Sequence, residues 1–209
     1  MLHSIIYNIR ERNFILKTIF RISVHPFAAA GLFLLLFASP PSYAFAVLSS
    51  VILHELGHTL MAELFQKKPI SVRIVPTGIS ILLPSASSYP EEFLISLAGP
   101  LMNLLYALLC GFLPYGIGGT VRSVSLLLAI LNLLPIAPLD GGRILSSLLS
   151  PLFGTEFSAR ISEFFGFFLL ALLWIVSLYI FFYSGVNFML LLFCAYLFSY
   201  IVLKKDCRI

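Results

Sequence analysis

The sequence predicts an all-α polytopic membrane protein, with six transmembrane helices and a small membrane-associated β-hairpin or sheet between the second and third. Three observations predict it. Hydrophobic residues make up 60% of the 209 positions and charged residues 11%, too little charge to coat a soluble domain of this size. Apolar runs of about 20 residues recur, the length a helix needs to cross the hydrocarbon layer. Between two of these runs, Ile70 to Pro84 switches to a period-two alternation, the pattern of strands rather than helices.

The first element, residues 1–24, carries Arg10, Glu11, Arg12, Lys17 and Arg21 among apolar residues. It lacks the early charges and small-residue cleavage site of a secretory signal, so an interfacial amphipathic lead-in on the cytosolic side is expected. Span one, Phe27 to about Ala38, is short and stops at Ser39-Pro40-Pro41-Ser42, a strong turn signal. The proline pair also argues against fusing it with span two, Tyr43 to about Phe65. In the alternating segment, Ile70, Val72 and Ile74 oppose Ser71 and Arg73, and Ile79 and Ile81 oppose Ser80. Pro76-Thr77-Gly78 separates the two halves, which reads as a hairpin. Span three runs from about Glu92 to Phe112 and span four from Val121 to about Leu134. Spans five and six, Phe164 to Tyr183 and Val186 to Leu203, are separated by Ser184-Gly185. The sequence contains no repeats. One domain over 1–209 is expected, with the interfacial segment at 1–24, a core at 25–150 that carries the polar motifs, and two C-terminal transmembrane helices within 160–204.

Charge sets the orientation. With a cytoplasmic N-terminus, Lys67, Lys68, Arg73, Arg143, Arg160, Lys204, Lys205 and Arg208 all fall in inner loops or the inner tail, and only Arg122 falls outside. That asymmetry follows the positive-inside rule and places both termini in the cytoplasm of a multi-pass cell-membrane protein. The net charge of +4 is therefore topological, and no nucleic-acid partner is expected. Cys110, Cys194 and Cys207 form no close-spaced pair, so neither a disulfide framework nor a thiolate metal site is expected.

The most informative residues are His54-Glu55-Leu56-Gly57-His58, inside span two. Ionisable side chains at membrane depth are costly and mark a functional site by default. His54 and His58 lie four apart and share a helix face. Glu55 lies roughly 60° around the helix from His58. In this H-E-x-x-H arrangement two imidazoles bind zinc and the carboxylate takes a proton from an activated water. A catalytic zinc usually has a third protein ligand and one open position. Asp140 is the candidate, in the stretch Asn132-Leu133-Leu134-Pro135-Ile136-Ala137-Pro138-Leu139-Asp140-Gly141-Gly142-Arg143. Spans two and four both run inward, which puts Asp140 at the depth of His58, in the cytoplasmic third of the bilayer. Pro135 and Pro138 free the backbone to turn, and Gly141-Gly142 permits close approach. A helix-capping role is the plainer alternative for Asp140.

Ser96, Gly99, Asn103 and Ala107 form a small and polar stripe along span three, suited to close helix packing and cross-helix hydrogen bonds. Asn103 and Asn132 are membrane-depth amides that either hold the site or polarise a substrate carbonyl, or serve packing alone. His3 and His25 read as interfacial, Glu63 as solvated, and the aromatic residues of spans five and six as lipid-facing.

With both motifs in hand, the chain resembles the site-2 protease family of intramembrane zinc metalloproteases (peptidase family M50). It looks most like the bacterial branch that includes a sporulation protein processing a sigma-factor precursor. The resemblance covers roughly residues 25–150: His25-Pro26-Phe27, the histidine helix, the hairpin, Gly99-Pro100 with Asn103, and Pro138-Leu139-Asp140-Gly141-Gly142. It implies one Zn2+ per chain with His54, His58 and Asp140 as ligands and Glu55 as base, and Asn103, Asn132, Gly99 and Pro138 in supporting positions. It further implies cleavage of a membrane-protein substrate within the lipid bilayer, from a site facing the cytoplasm, as in regulated intramembrane proteolysis that activates a transcription factor. A regulatory membrane partner or a homo-oligomer is compatible with this. The sequence departs from the family in that no PDZ domain interrupts the core and no nucleotide-sensing domain follows span six, so regulation by ATP through the latter is not expected. Two other classes fit a membrane histidine pair: a divalent-metal transporter and a non-catalytic metal-dependent scaffold. Transport calls for ligands along several facing helices, and Glu55 has no task in a scaffold.

Overall fold

A computed structural model describes residues 21–24, 33, 36–37, 39–67, 71–75, 78–82, 88–112, 116–184 and 189–206. The lead-in over 1–20, His3 and His25, most of span one, the Pro76-Thr77 turn and Cys207 lie outside the described residues. Six helices are described: α1 (Pro41–Leu64), α2 (Tyr89–Cys110), α3 (Ile117–Leu133), α4 (Asp140–Phe153), α5 (Thr155–Ser184) and α6 (Met189–Asp206). Three strands accompany them: β1 (Arg21–Val24), β2 (Ser71–Val75) and β3 (Gly78–Leu82).

Helix α1 starts with Pro41 in its first turn, after an extended Pro40. The missing proline N–H is one the helix could not have used there. The helix ends at Leu64, and Gln66 turns the chain away at a φ of 58°. Helix α2 is capped by Ser88, whose hydroxyl accepts from the Glu91 amide at 3.4 Å. Glu91 and Glu92 in its first turn complement the positive end of the helix dipole. Pro100 sits inside α2, a position membrane helices tolerate when neighbours satisfy the freed carbonyl.

Three of these helices are long and apolar enough to cross a membrane, α1, α2 and α5, and two shorter apolar segments, Ile117–Leu133 and Leu190–Val202, accompany them. The protein is a membrane protein of helical fold. Phe33, Phe37, Leu108, Phe112, Phe164, Ile175, Phe182 and Tyr183 all lie exposed, as side chains facing hydrocarbon should.

Helix α2 is the hub, packed against α1, α3 and α4, while α4 leads on to α5 and α5 to α6. The first group is held by small residues and buried polar bonds. A Cβ added at Gly57 would lie 2.6 Å from the Ala98 carbonyl oxygen, so the α1 and α2 backbones touch. Ser50 bonds Ser125 at 2.6 Å, and the Tyr106 hydroxyl donates to Ser49 at 3.2 Å. The second group is held by an apolar cluster of Ile136, Leu139, Leu170, Cys194 and Leu197.

The strands form one sheet in the order β1-β2-β3, with β1 parallel to β2 and β2 antiparallel to β3. Val72 pairs with Ile81 and Ile74 with Ile79, while Ile22 pairs with Val72 from the other side. Two elements differ from the sequence expectation. Arg21–Val24, read as part of an amphipathic lead-in, is a strand, because β2 offers it a long-range partner that local pattern cannot show. Asp140–Phe153 is a helix of its own, although its serines and Pro151 gave no span-like signature.

Candidate metal centre

His54 and His58 project from the face of α1 that turns towards α2. They are 5% and 8% exposed, and Asp140 is 9% exposed. Burial at this level requires each polar group to be paired or to hold an ion. Asp140 is the first residue of α4. The chain reaches it through a non-helical passage, Leu134–Leu139, with a cis bond between Ala137 and Pro138. Tight turns close that passage: the Ile136 amide donates to Leu134 O at 2.7 Å, and the Leu139 amide to Ile136 O at 2.7 Å. The two glycines that follow are sterically required. A Cβ at Gly141 would overlap the Leu133 and Leu134 carbonyls, and one at Gly142 would come within 3.0 Å of the Ile136 carbonyl and the Ala137 nitrogen.

The three side chains meet. Asp140 Oδ2 lies 3.0 Å from His54 Nε2 and 3.3 Å from His58 Nε2, and the two Nε2 atoms are 3.1 Å apart. The rings stand edge to face at an interplanar angle of 83°. One donor atom from each residue lies within 4.8 Å of the others, an arrangement that could hold a metal ion. Two imidazole nitrogens and a carboxylate oxygen are a donor set that fits a tetrahedral divalent cation with one position left open. The cradle is shaped as well as lined. A Cβ at Gly99 would overlap His58 Nε2 and come within 2.9 Å of His54 Cε1, so only glycine leaves the rings room.

Each imidazole is also held from behind. His58 Nδ1 donates to the Ile95 carbonyl at 2.7 Å. A carbonyl only accepts, so this bond leaves Nε2 as the nitrogen that can bind a cation. His54 Nδ1 lies 3.0 Å from Asn103 Nδ2, and Asn103 is fully buried.

The remaining candidates divide. Glu55 is half-buried beside the triad, close enough to interact with the charges of His58, Asp140 and Arg143. Gly99 and Asn103 belong to the site's walls. Pro138 lines an adjoining cavity of about 400 Å³ with Glu92, Arg143, Ser162 and Tyr200. Asn132 is not brought to the triad: its Nδ2 donates to the Leu128 carbonyl of its own helix at 3.1 Å. Sequence reasoning did not find Ile95, whose contribution is a backbone carbonyl and leaves no side-chain signal. Lys67 was read only as an inner-loop charge; its pairing with Glu91 at 2.9 Å, between the end of α1 and the start of α2, was not foreseen.

Comparison with known proteins agrees with this geometry. Residues 115–176 match the model of peptidase family M50, a stretch that contains the Asp140 passage. A zinc metalloprotease of Methanocaldococcus jannaschii is 32% identical over 142 residues, covering 64% of this chain and 38% of that protein. Stage IV sporulation protein FB of Bacillus subtilis is 31% identical over 143 residues, covering 65% of this chain and 50% of that protein. The chain thus spans half or less of the length of these relatives. The solved structure of a site-2 protease from Methanocaldococcus jannaschii shares the fold, with a TM-score of 0.65 and 24% identity over 90% of this chain and 91% of that one. These likenesses are to peptidase family M50 over residues 115–176, to zinc metalloproteases over about two thirds of this chain, and to the fold of a site-2 protease.

Proposed function

We propose that the protein is an intramembrane zinc metalloprotease, which hydrolyses a peptide bond in or near a transmembrane segment of a membrane-associated protein. The observation that carries this is the meeting of His54, His58 and Asp140 from two separate helices, with Glu55 alongside. His54, His58 and Asp140 are the ligands of one Zn2+ per chain. When bound, the ion supplies Lewis acidity that activates water at neutral pH and polarises a carbonyl. Glu55 accepts the proton of the attacking water and returns it to the departing amine nitrogen, so the carboxylate ends each cycle unchanged. The Ile95 carbonyl holds the His58 ring, and Gly99 keeps the space between the rings open.

The same reading places the chain in the bilayer as a single domain of six spans with both termini in the cytoplasm. Its support is that Lys67, Glu91, Glu92 and Arg143 gather at the end of the bundle that carries the triad. Lys67 pairs with Glu91 at 2.9 Å, and Arg143 with Glu92 at 3.6 Å. His58 lies six residues before Leu64, where α1 ends, about 9 Å of helical rise, and Lys67 follows just past that end, so the site opens towards the cytoplasmic side. A substrate helix must unwind to expose its carbonyls. In the sheet, β2 is enclosed by β1 and β3; of the two edge strands among the described residues, β3 of the hairpin is the one to pair with an extended substrate strand at the membrane surface.

The test is Glu55→Gln in the full chain, co-expressed in membranes with candidate substrate proteins. Cleavage should fall by about 10²–10⁴-fold while zinc content stays at one per chain. Unchanged cleavage would overturn the proposal, because a transporter or a metal-dependent scaffold does not need this carboxylate.

A further inference from the structure

The two histidines differ in what stands behind them, and the difference points to a role for Asn103. Behind His58 is a carbonyl, which fixes one tautomer. Behind His54 is a primary amide, which can present either a donor or an acceptor. As described, Asn103 Nδ2 donates to His54 Nδ1 at 3.0 Å, and Asn103 Oδ1 is buried with no hydrogen-bond partner. With Nδ1 accepting, the ring proton resides on Nε2, where it is donated to Asp140 Oδ2 at 3.0 Å. That tautomer cannot bind a cation through Nε2, since its lone pair there is used by the proton.

A half-turn of the Asn103 amide exchanges Oδ1 for Nδ2 beside His54 and gives the orphaned oxygen a donor. The ring proton then moves from Nε2 to Nδ1, no proton is gained or lost, and Nε2 is left with a free lone pair facing Asp140 and His58. We infer that Asn103 is the positioning residue for His54: with metal held, its Oδ1 accepts the Nδ1–H and so presents Nε2 to the ion. Asn103 Oδ1 has no other partner among the described residues, so accepting from His54 is the bond left open to it. Ser96 and Gly99 share its stripe on α2, but neither forms a described hydrogen bond to His54, so the amide is the group that sets this tautomer. This rests on the assignment of His54 as a ligand under the proposed function.

Zinc affinity, measured by competition with a chromophoric chelator on the purified full chain in detergent, tests it without reference to proteolysis. Asn103→Leu has nearly the same volume but no acceptor, and should weaken zinc binding about 10–100-fold. Asn103→Asp has only acceptors, and should bind zinc at least as tightly as wild type. Equal affinity in Asn103→Leu and wild type would overturn the inference, as would equal loss in both variants, which would mean that the donor Nδ2 is what matters. In zinc-loaded wild type labelled with ¹⁵N-histidine, His54 Nδ1 should carry the proton. A bare Nδ1 would overturn the inference even if neither variant folds. Wild type that binds no zinc would instead remove the proposed function beneath it.

Discussion

The bundle is built on two different principles on either side of the Asp140 passage. On one flank, α1, α2 and α3 are joined by glycine contacts and buried polar bonds: Gly57 on Ala98, Ser50 with Ser125, His58 with Ile95. On the other, α5 and α6 meet through Leu170, Cys194 and Leu197, with Ile136 and Leu139 of the passage packed against them. Lipid tails are as apolar as leucine, so the second flank gains little specificity from apolar contact, whereas short backbone approach and hydrogen bonds specify a single register. The triad sits on the specified flank. The passage is the joint between the two: Ile136 and Leu139 face the apolar side, and the next residue, Asp140, faces the histidines.

The contrast can be broken at three places. Gly99→Ala should have the largest effect, because the added methyl overlaps the His58 ring on the flank with no slack. Zinc affinity should fall about 100-fold by chelator competition, with little change in far-UV circular dichroism. Retained affinity would mean that the α1–α2 seam can open. Ile136→Ala, fully buried on the apolar flank, should cost about 2–4 kcal/mol of stability by denaturant unfolding in detergent. It should loosen zinc several-fold by releasing the passage. Stability loss without any change in zinc binding would show that the passage is held by its own turns and not by α5 and α6. Ser50→Ala should cost about 0.5–1 kcal/mol and leave zinc untouched. A larger loss would mark that serine pair as a keystone of the specified flank.

Much of the specified flank was legible in the sequence because its signals are local. The i, i+4 histidines on one apolar helix, the proline-interrupted segment ending in Asp-Gly-Gly, and the Ser96-Gly99-Asn103 stripe each declare their chemistry by type and spacing. What was not legible depends on partners distant in sequence. β1 exists because β2 is there to receive it. Asn132 was a candidate for the site on depth alone, yet its amide folds back onto Leu128 within the same turn of helix, a local bond that competes with any outward role. The Ile95 carbonyl holds His58, and any residue type at position 95 would offer the same atom. Span-like hydropathy found α5 and α6 but gave no account of their seam, since leucine-rich faces look alike on every side.

Gly57 against the Ala98 carbonyl is a contact without tolerance. Two rods pressed together at backbone distance cannot part by a few ångströms and keep any attraction, because there are no side chains between them to stretch. Any spreading of the bundle is therefore taken up elsewhere than at this seam.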